Sequence, residues 1–216
     1  FGAHMKFIIP IGLLFCASNL FADEMVINGC KIEPKAQCAN MDLSGADLRL
    51  VDLRNADLSG ANLSGADLRH AILKNANLGK ADLSGANLAR ADMRHASVKG
   101  ANLSSANLEA INGWTLFGQG ANFNNANLYG ANLEFSRLSN AKFEGAVLRA
   151  ANLEMAWMTK TILTGANLEN ANLQEAKLNG ASLENAIFTG VQKRYASFQA
   201  TYMEGCVDCP FDWARD

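Results

Sequence analysis

A row of apolar residues at every fifth place, running from Leu43 to Met203, restricts the fold of this chain more tightly than any other property of it. Of the 33 places in that row, 30 are Leu, Met, Phe or Val, and only Gly113, Gly118 and Lys193 interrupt it. Two places before each, 25 of the 33 residues are alanine, and the place between is Asp or Asn in 19 of the 33. The unit reads Ala-(Asp/Asn)-Leu-x-x and often closes on Ser-Gly, as at Ser44-Gly45 and Ser59-Gly60. Alanine and leucine favour helix by propensity, but five helical residues overshoot a full turn by about 140°, which would spread the leucines over every face. A flat strand fails too, because an odd period sends successive leucines to opposite faces. A backbone that turns a corner every five residues satisfies the pattern. Each Leu then returns to the inside, the small Ala faces inward where space is tight, and Asp, Asn and Gly serve the corners.

The motif, stated many times over as in Ala61-Asn62-Leu63-Ser64-Gly65, resembles the pentapeptide-repeat family across roughly residues 36 to 205. The resemblance implies an all-β fold, a right-handed quadrilateral β-helix with four pentads to a coil. About eight coils stacked near 4.8 Å would make a rod roughly 40 Å long. Its open ends need covering. The expected organisation is a vector-derived scar (1–4), a signal peptide (5–22), an N-terminal cap (23–37), the solenoid (38–205) and a C-terminal cap or dimer segment (206–216), the last carrying Pro210, Phe211 and Trp213.

The leader reading rests on Lys6, the apolar run Phe7 to Phe15, and Ala22 before Asp23 and Glu24. The run is too short to anchor in a bilayer, and bulky Phe15 before Cys16 fits poorly with a lipidated cysteine. A periplasmic or secreted protein is therefore expected. Its four remaining cysteines suggest disulfides, Cys30 with Cys38 and Cys206 with Cys209, since the repeats separate the two pairs. The competing reading of Cys206-Val-Asp-Cys209 is a redox dithiol or a zinc site, which would need a helix N-terminus or four convergent ligands.

The formal charge is −2, and removal of the leader with its lysine leaves 18 basic against 21 acidic residues. So mild a balance does not predict a nucleic-acid groove, and it is weak support for a surface that imitates DNA. After the apolar centre, the first half of the chain carries Arg49, Arg54, Arg69, Lys74, Arg94 and Lys99, and the second half Glu109, Glu134, Glu144, Glu154, Glu169, Glu184 and Glu204. The arginines alternate with aspartates that should neutralise them locally, as a solvated face.

With four pentads per coil, residues twenty apart stack. One column then reads Asp57, Asn77, Ser97, Phe117, Arg137, Trp157, Lys177, an alternation of aromatic and cationic residues spaced for cation–π contact. The next reads Thr115, Phe135, Met155 and, further on, Tyr195, with Trp114 beside it. Trp114, Phe117, Phe135, Met155 and Trp157 thus converge midway along the rod as a candidate surface for a protein partner. The competing expectation is a loop over Ile111 to Gly120, where both aberrant glycines fall and where Trp114, Leu116 and Phe117 would pack on themselves.

No nucleophile, phosphate cradle or metal cluster stands out. His70 and His95 read as solvated corner residues, and the Ser-Gly pairs as turn chemistry. A non-catalytic binding module is expected, without cofactor, metal, direct nucleic-acid contact or membrane span, and with a homodimer through one end as its expected self-assembly. The family suggests an alternative, because some pentapeptide-repeat proteins protect DNA gyrase as acidic, DNA-mimicking dimeric rods.

Overall fold

The structure is a computed structural model that describes residues 25–210. The scar, the signal peptide, the cleavage site, and Phe211 and Trp213 lie outside the described residues. From Gln37 to Val207 the chain forms parallel bridges between residues twenty apart, beginning with Gln37 and Asp57 and ending with Ile187 and Val207. Every fifth residue from Lys35 to Gly205 has a positive φ, without a break. Each coil therefore turns four corners and returns above itself, and the described residues include no helix.

One pentad accounts for all five of its N–H groups. Ala61 donates to the Leu58 carbonyl at 3.1 Å and closes the corner; Asn62 donates back to Met41 at 2.9 Å; Leu63 and Gly65 donate forward to Asp82 and Ser84 at 2.7 and 2.9 Å. That leaves Ser64, whose N–H goes to Oδ1 of Asn62 at 3.1 Å. The need for a side-chain acceptor two residues earlier explains the Asp or Asn of the repeat. An asparagine also reaches the coil before it: Asn62 Nδ2 donates to Asp42 Oδ1 at 3.1 Å, and Asn102 repeats the contact on Asp82 at 3.0 Å.

The corner itself is a turn whose second central residue alone is left-handed, the type II pattern that glycine suits best. Ser64-Gly65 is the unstrained version; Thr115, at φ 56°, is the least comfortable residue type for such a corner.

The centre residues and the alanines form one continuous core, with the Leu43 to Leu108 centres buried throughout. Phe123 and Phe143 stack inside it with ring centroids 4.7 Å apart. The expected loop at Ile111 to Gly120 is absent. Bridges from Asn112 to Asn132 and from Phe117 to Arg137 keep the register, and Leu116 lies in the core rather than in a surface cluster. The two glycines that interrupt the row are compensated within their own pentads. Where Gly113 and Gly118 replace the centre, Ile111 and Leu116 replace alanine two places earlier and fill the interior. A Cβ on either glycine would meet Cδ2 of Leu133 or Leu138 at 2.9 Å.

At the N-terminal end, β1 (Val26–Ile27) and β2 (Cys30–Lys31) pair antiparallel, and Ile27 and Ile32 lie over the core. Asn28 Nδ2 ties this hairpin to the Asp42 carbonyl at 2.8 Å. Corners begin at Lys35, slightly before the expected start of the solenoid at 38. The Cα atoms of Cys30 and Cys38 are 5.3 Å apart and those of Cys206 and Cys209 5.8 Å, both within bridging range.

Candidate functional site

The four sides of the coil carry different chemistry. Side one holds the centres Leu58 to Phe198, side two Leu43 to Met203, side three Leu48 to Phe188 and side four Leu53 to Lys193, each stepping by one coil. On sides three and four, arginines of the first half sit on the aspartate two residues before them. Arg49 meets Asp47, Arg54 meets Asp52 and Arg69 meets Asp67, each at 2.6 Å, and Arg94 meets Asp92 at 2.7 Å. The Arg49 side chain, helped by its backbone N–H, holds the Asp47 carboxyl down at about 2. Asp52, Asp67 and Asp92 are lowered by the same arginine contact. These exposed pairs are a solvated face and point to no ligand.

Side one differs. Its outward column runs Ser97, Phe117, Arg137, Trp157, Lys177 on consecutive coils. The Arg137 guanidinium lies over both rings, 5.6 Å from the Phe117 centroid and 5.5 Å from that of Trp157. Lys99 covers Phe117 from the other direction at 5.5 Å, and Lys177 covers Trp157 at 4.9 Å. The result is a stack of alternating cations and rings along the rod.

The edge shared with side four completes a groove. Trp114 packs edge-on against His95 at 4.9 Å and Phe135 at 6.1 Å, and Thr115 Oγ1 is hydrogen-bonded to His95 Nδ1 at 2.5 Å. Trp114, Phe117, Phe135, Met155 and Trp157, the five residues singled out from the sequence, all line this groove of about 500 Å³. Phe135 and Trp157 remain 40% and 49% exposed. Tyr195 does not join them: it lies further along, beneath Arg194 at 4.7 Å. Thr115 and Arg137, read from the sequence as members of the same two columns, also line the groove, and so does His95, which was not placed there from the sequence. His95 is a corner residue as expected, yet its ring is engaged by Trp114 and Thr115 rather than simply solvated. Its twenty-residue offset from Thr115 was the available signal. His70 lies elsewhere, at a depression near Arg49 and Leu50.

The column has a local cost. Phe117, Arg137, Trp157 and Lys177 occupy the place that Asp or Asn holds in most pentads, so four successive coils lose the side-chain acceptor for the N–H two residues on, and side two likewise lacks Asp or Asn at Lys142, Ile162, Ser182 and Tyr202. Among the described residues, no group of His, Cys, Asp and Glu could hold a metal ion.

A family model described as pentapeptide repeats matches the chain in eight copies between residues 35 and 207, with residues 110–118 left out. Among solved structures, the chain is similar to HetL, a pentapeptide repeat protein involved in heterocyst differentiation regulation in the cyanobacterium Nostoc sp. strain PCC 7120. The identity is 30%, the match covers 80% of this chain and 87% of HetL, and the TM-score is 0.59. It is also similar to the pentapeptide repeat protein Rfr23 from the cyanobacterium Cyanothece 51142, at 32% identity over 51% of this chain and 90% of that one, with a TM-score of 0.50. No curated protein matches it.

Proposed function

Because the chain belongs to the pentapeptide repeat family, we propose that it is a non-catalytic binding module, a right-handed quadrilateral solenoid exported to the periplasm or beyond, that recognises another protein through the groove on side one. The observation that carries this reading is the run of four coils at Phe117, Arg137, Trp157 and Lys177, where rings and cations alternate along one face and border a groove lined by Trp114, Phe135 and Met155. The exposed aromatics there have the character of interface anchors. Export accords with the leader residues and with two cysteine pairs spaced for disulfides.

The test is capture of partners from host periplasm by the wild type and by Trp114→Ala with Trp157→Ala. A partner retained equally by both removes the groove from the account. Recovery of the native protein only from the cytoplasm, leader intact, removes export. The gyrase-modulating alternative has less support, given a charge of −2 and a basic side one. It is tested by supercoiling and quinolone-inhibition assays, where no effect at roughly micromolar protein dismisses it.

A further inference from the structure

Side one is set apart by the rings its cations rest on. On the other sides, Arg49, Arg54, Arg69 and Arg94 rest on aspartates and Arg149 meets Glu169 one coil on at 3.0 Å, while Lys74, Arg90, Lys142, Lys193 and Arg194 have no carboxylate at ion-pair distance among the described residues. On side one and its edge, Lys80, Lys99, Arg137, Lys160 and Lys177 are exposed, and among the described residues none has a carboxylate at ion-pair distance. Three of the five lie over Phe117 and Trp157 instead. A ring stabilises a cation without neutralising it, so this charge stays available to a ligand. A guanidinium sandwiched between two rings keeps its N–H donors in its own plane, directed away from both, and has little rotamer freedom left to lose on binding. Side one itself carries Asp57, three coils before Phe117; Glu175 lies at its edge, and Glu134 and Glu154 are on side four, where Glu154 accepts from Asn172 at 3.1 Å.

We infer that side one takes an acidic, extended peptide segment of the partner, with carboxylates on the in-plane edge of Arg137 and on the flanking Lys99 and Lys177. This rests on the groove reading above and narrows it. The three cations follow one another at intervals of two coils, or roughly 10 Å. An extended chain covers that distance in about three residues, so acidic side chains at every third place would meet successive cations. A single-stranded nucleic acid fits less well. Its bases would need the faces of Phe117 and Trp157, which are covered by cations from the coils before and after.

The experiment is fluorescence anisotropy on the full chain with a labelled peptide of about twelve residues carrying glutamate at every third place, its glutamine counterpart, and an oligothymidylate of similar length. The glutamate peptide should bind about tenfold more tightly than the glutamine one and weaken as salt rises from about 50 to about 200 mM. Arg137→Gln, checked for an unchanged melting curve, should lose about tenfold, while Arg149→Gln on side three should lose nothing. Equal binding of the two peptides, unchanged affinity in Arg137→Gln, or an oligothymidylate bound as tightly as the peptide each overturns the inference. A natural partner lost by Trp114→Ala with Trp157→Ala but kept by Arg137→Gln also overturns it, and leaves the groove reading standing.

Discussion

A residue at the second place of the pentad has two tasks that no backbone group can perform: it accepts the one N–H the coil leaves over, and as asparagine it donates to the coil before. Ile72 does neither, although it lies between Asp52 and Asp92 in its column. Ile72→Asn would restore the acceptor for the Lys74 N–H and set an amide against Asp52, as Asn62 does against Asp42 at 3.1 Å. We expect a gain of about 1 kcal/mol, read as a higher urea midpoint at unchanged slope. The aspartates at this place give a pH signature. Arg49, Arg54 and Arg69 hold Asp47, Asp52 and Asp67 below the usual carboxylate value of 3.8, so folded pKa values lie under unfolded ones. Their contribution is complete above about pH 4 and disappears as pH falls towards the folded values, about 2 for Asp47. Thermal stability should therefore hold level from neutral pH to about 5 and decline below 4. Triple replacement of Asp47, Asp52 and Asp67 by Asn keeps the turn acceptor and should make that decline shallower, by calorimetry across the range.

At the scale of a coil, what is conserved is interior volume rather than the residue at one place. Gly113 and Gly118 look like breaks when the centre row is scanned alone, and that scan is what suggested a loop. They are not breaks, because Ile111 and Leu116 supply from the first place of the pentad what the third place gives up. Gly113→Leu should overpack the coil and cost about 1 to 3 kcal/mol, since its Cβ already meets Leu133 Cδ2 at 2.9 Å and the Asn132 carbonyl oxygen at 3.2 Å. Adding Ile111→Ala returns the pentad to the common pattern and should recover most of that loss. A double-mutant cycle in denaturant reads the coupling, and additive costs would show that the two places do not share space. The same distinction explains what was legible in advance. Corners, columns and the approach of Trp114, Phe117, Phe135, Met155 and Trp157 follow from an unbroken register of five, so counting by twenty finds them. The exchange between Ile111 and Gly113, and the His95 contacts with Trp114 and Thr115, depend on side-chain size and direction between coils, which a period does not encode.

Over the whole molecule each coil touches only its neighbours, so the free energy of opening is set coil by coil and the ends decide where it begins. The two ends are unequal. The hairpin of β1 and β2 lies over the first coil, and the proposed bridge from Cys30 to Cys38 closes it. At the other end Lys193 stands in the centre row, and Val191, Ala196 and Cys206 are the most exposed members of the core at 9%, 7% and 7%. Among the described residues no coil follows to accept the N–H groups of Phe198 and Met203. Opening should therefore start at the last coil and move inward. Hydrogen exchange followed by mass spectrometry should show protection rising from the 191–207 segment toward the coils around Leu103 to Phe123. Lys193→Leu should slow exchange in the last coil alone. Cys30→Ser with Cys38→Ser should lower protection of the first coil by about tenfold or more, because a short closed loop is worth on the order of 2 kcal/mol, while leaving the far end unchanged. Equal loss along the whole rod would mean that the coils open as one cooperative body and that neither end governs stability.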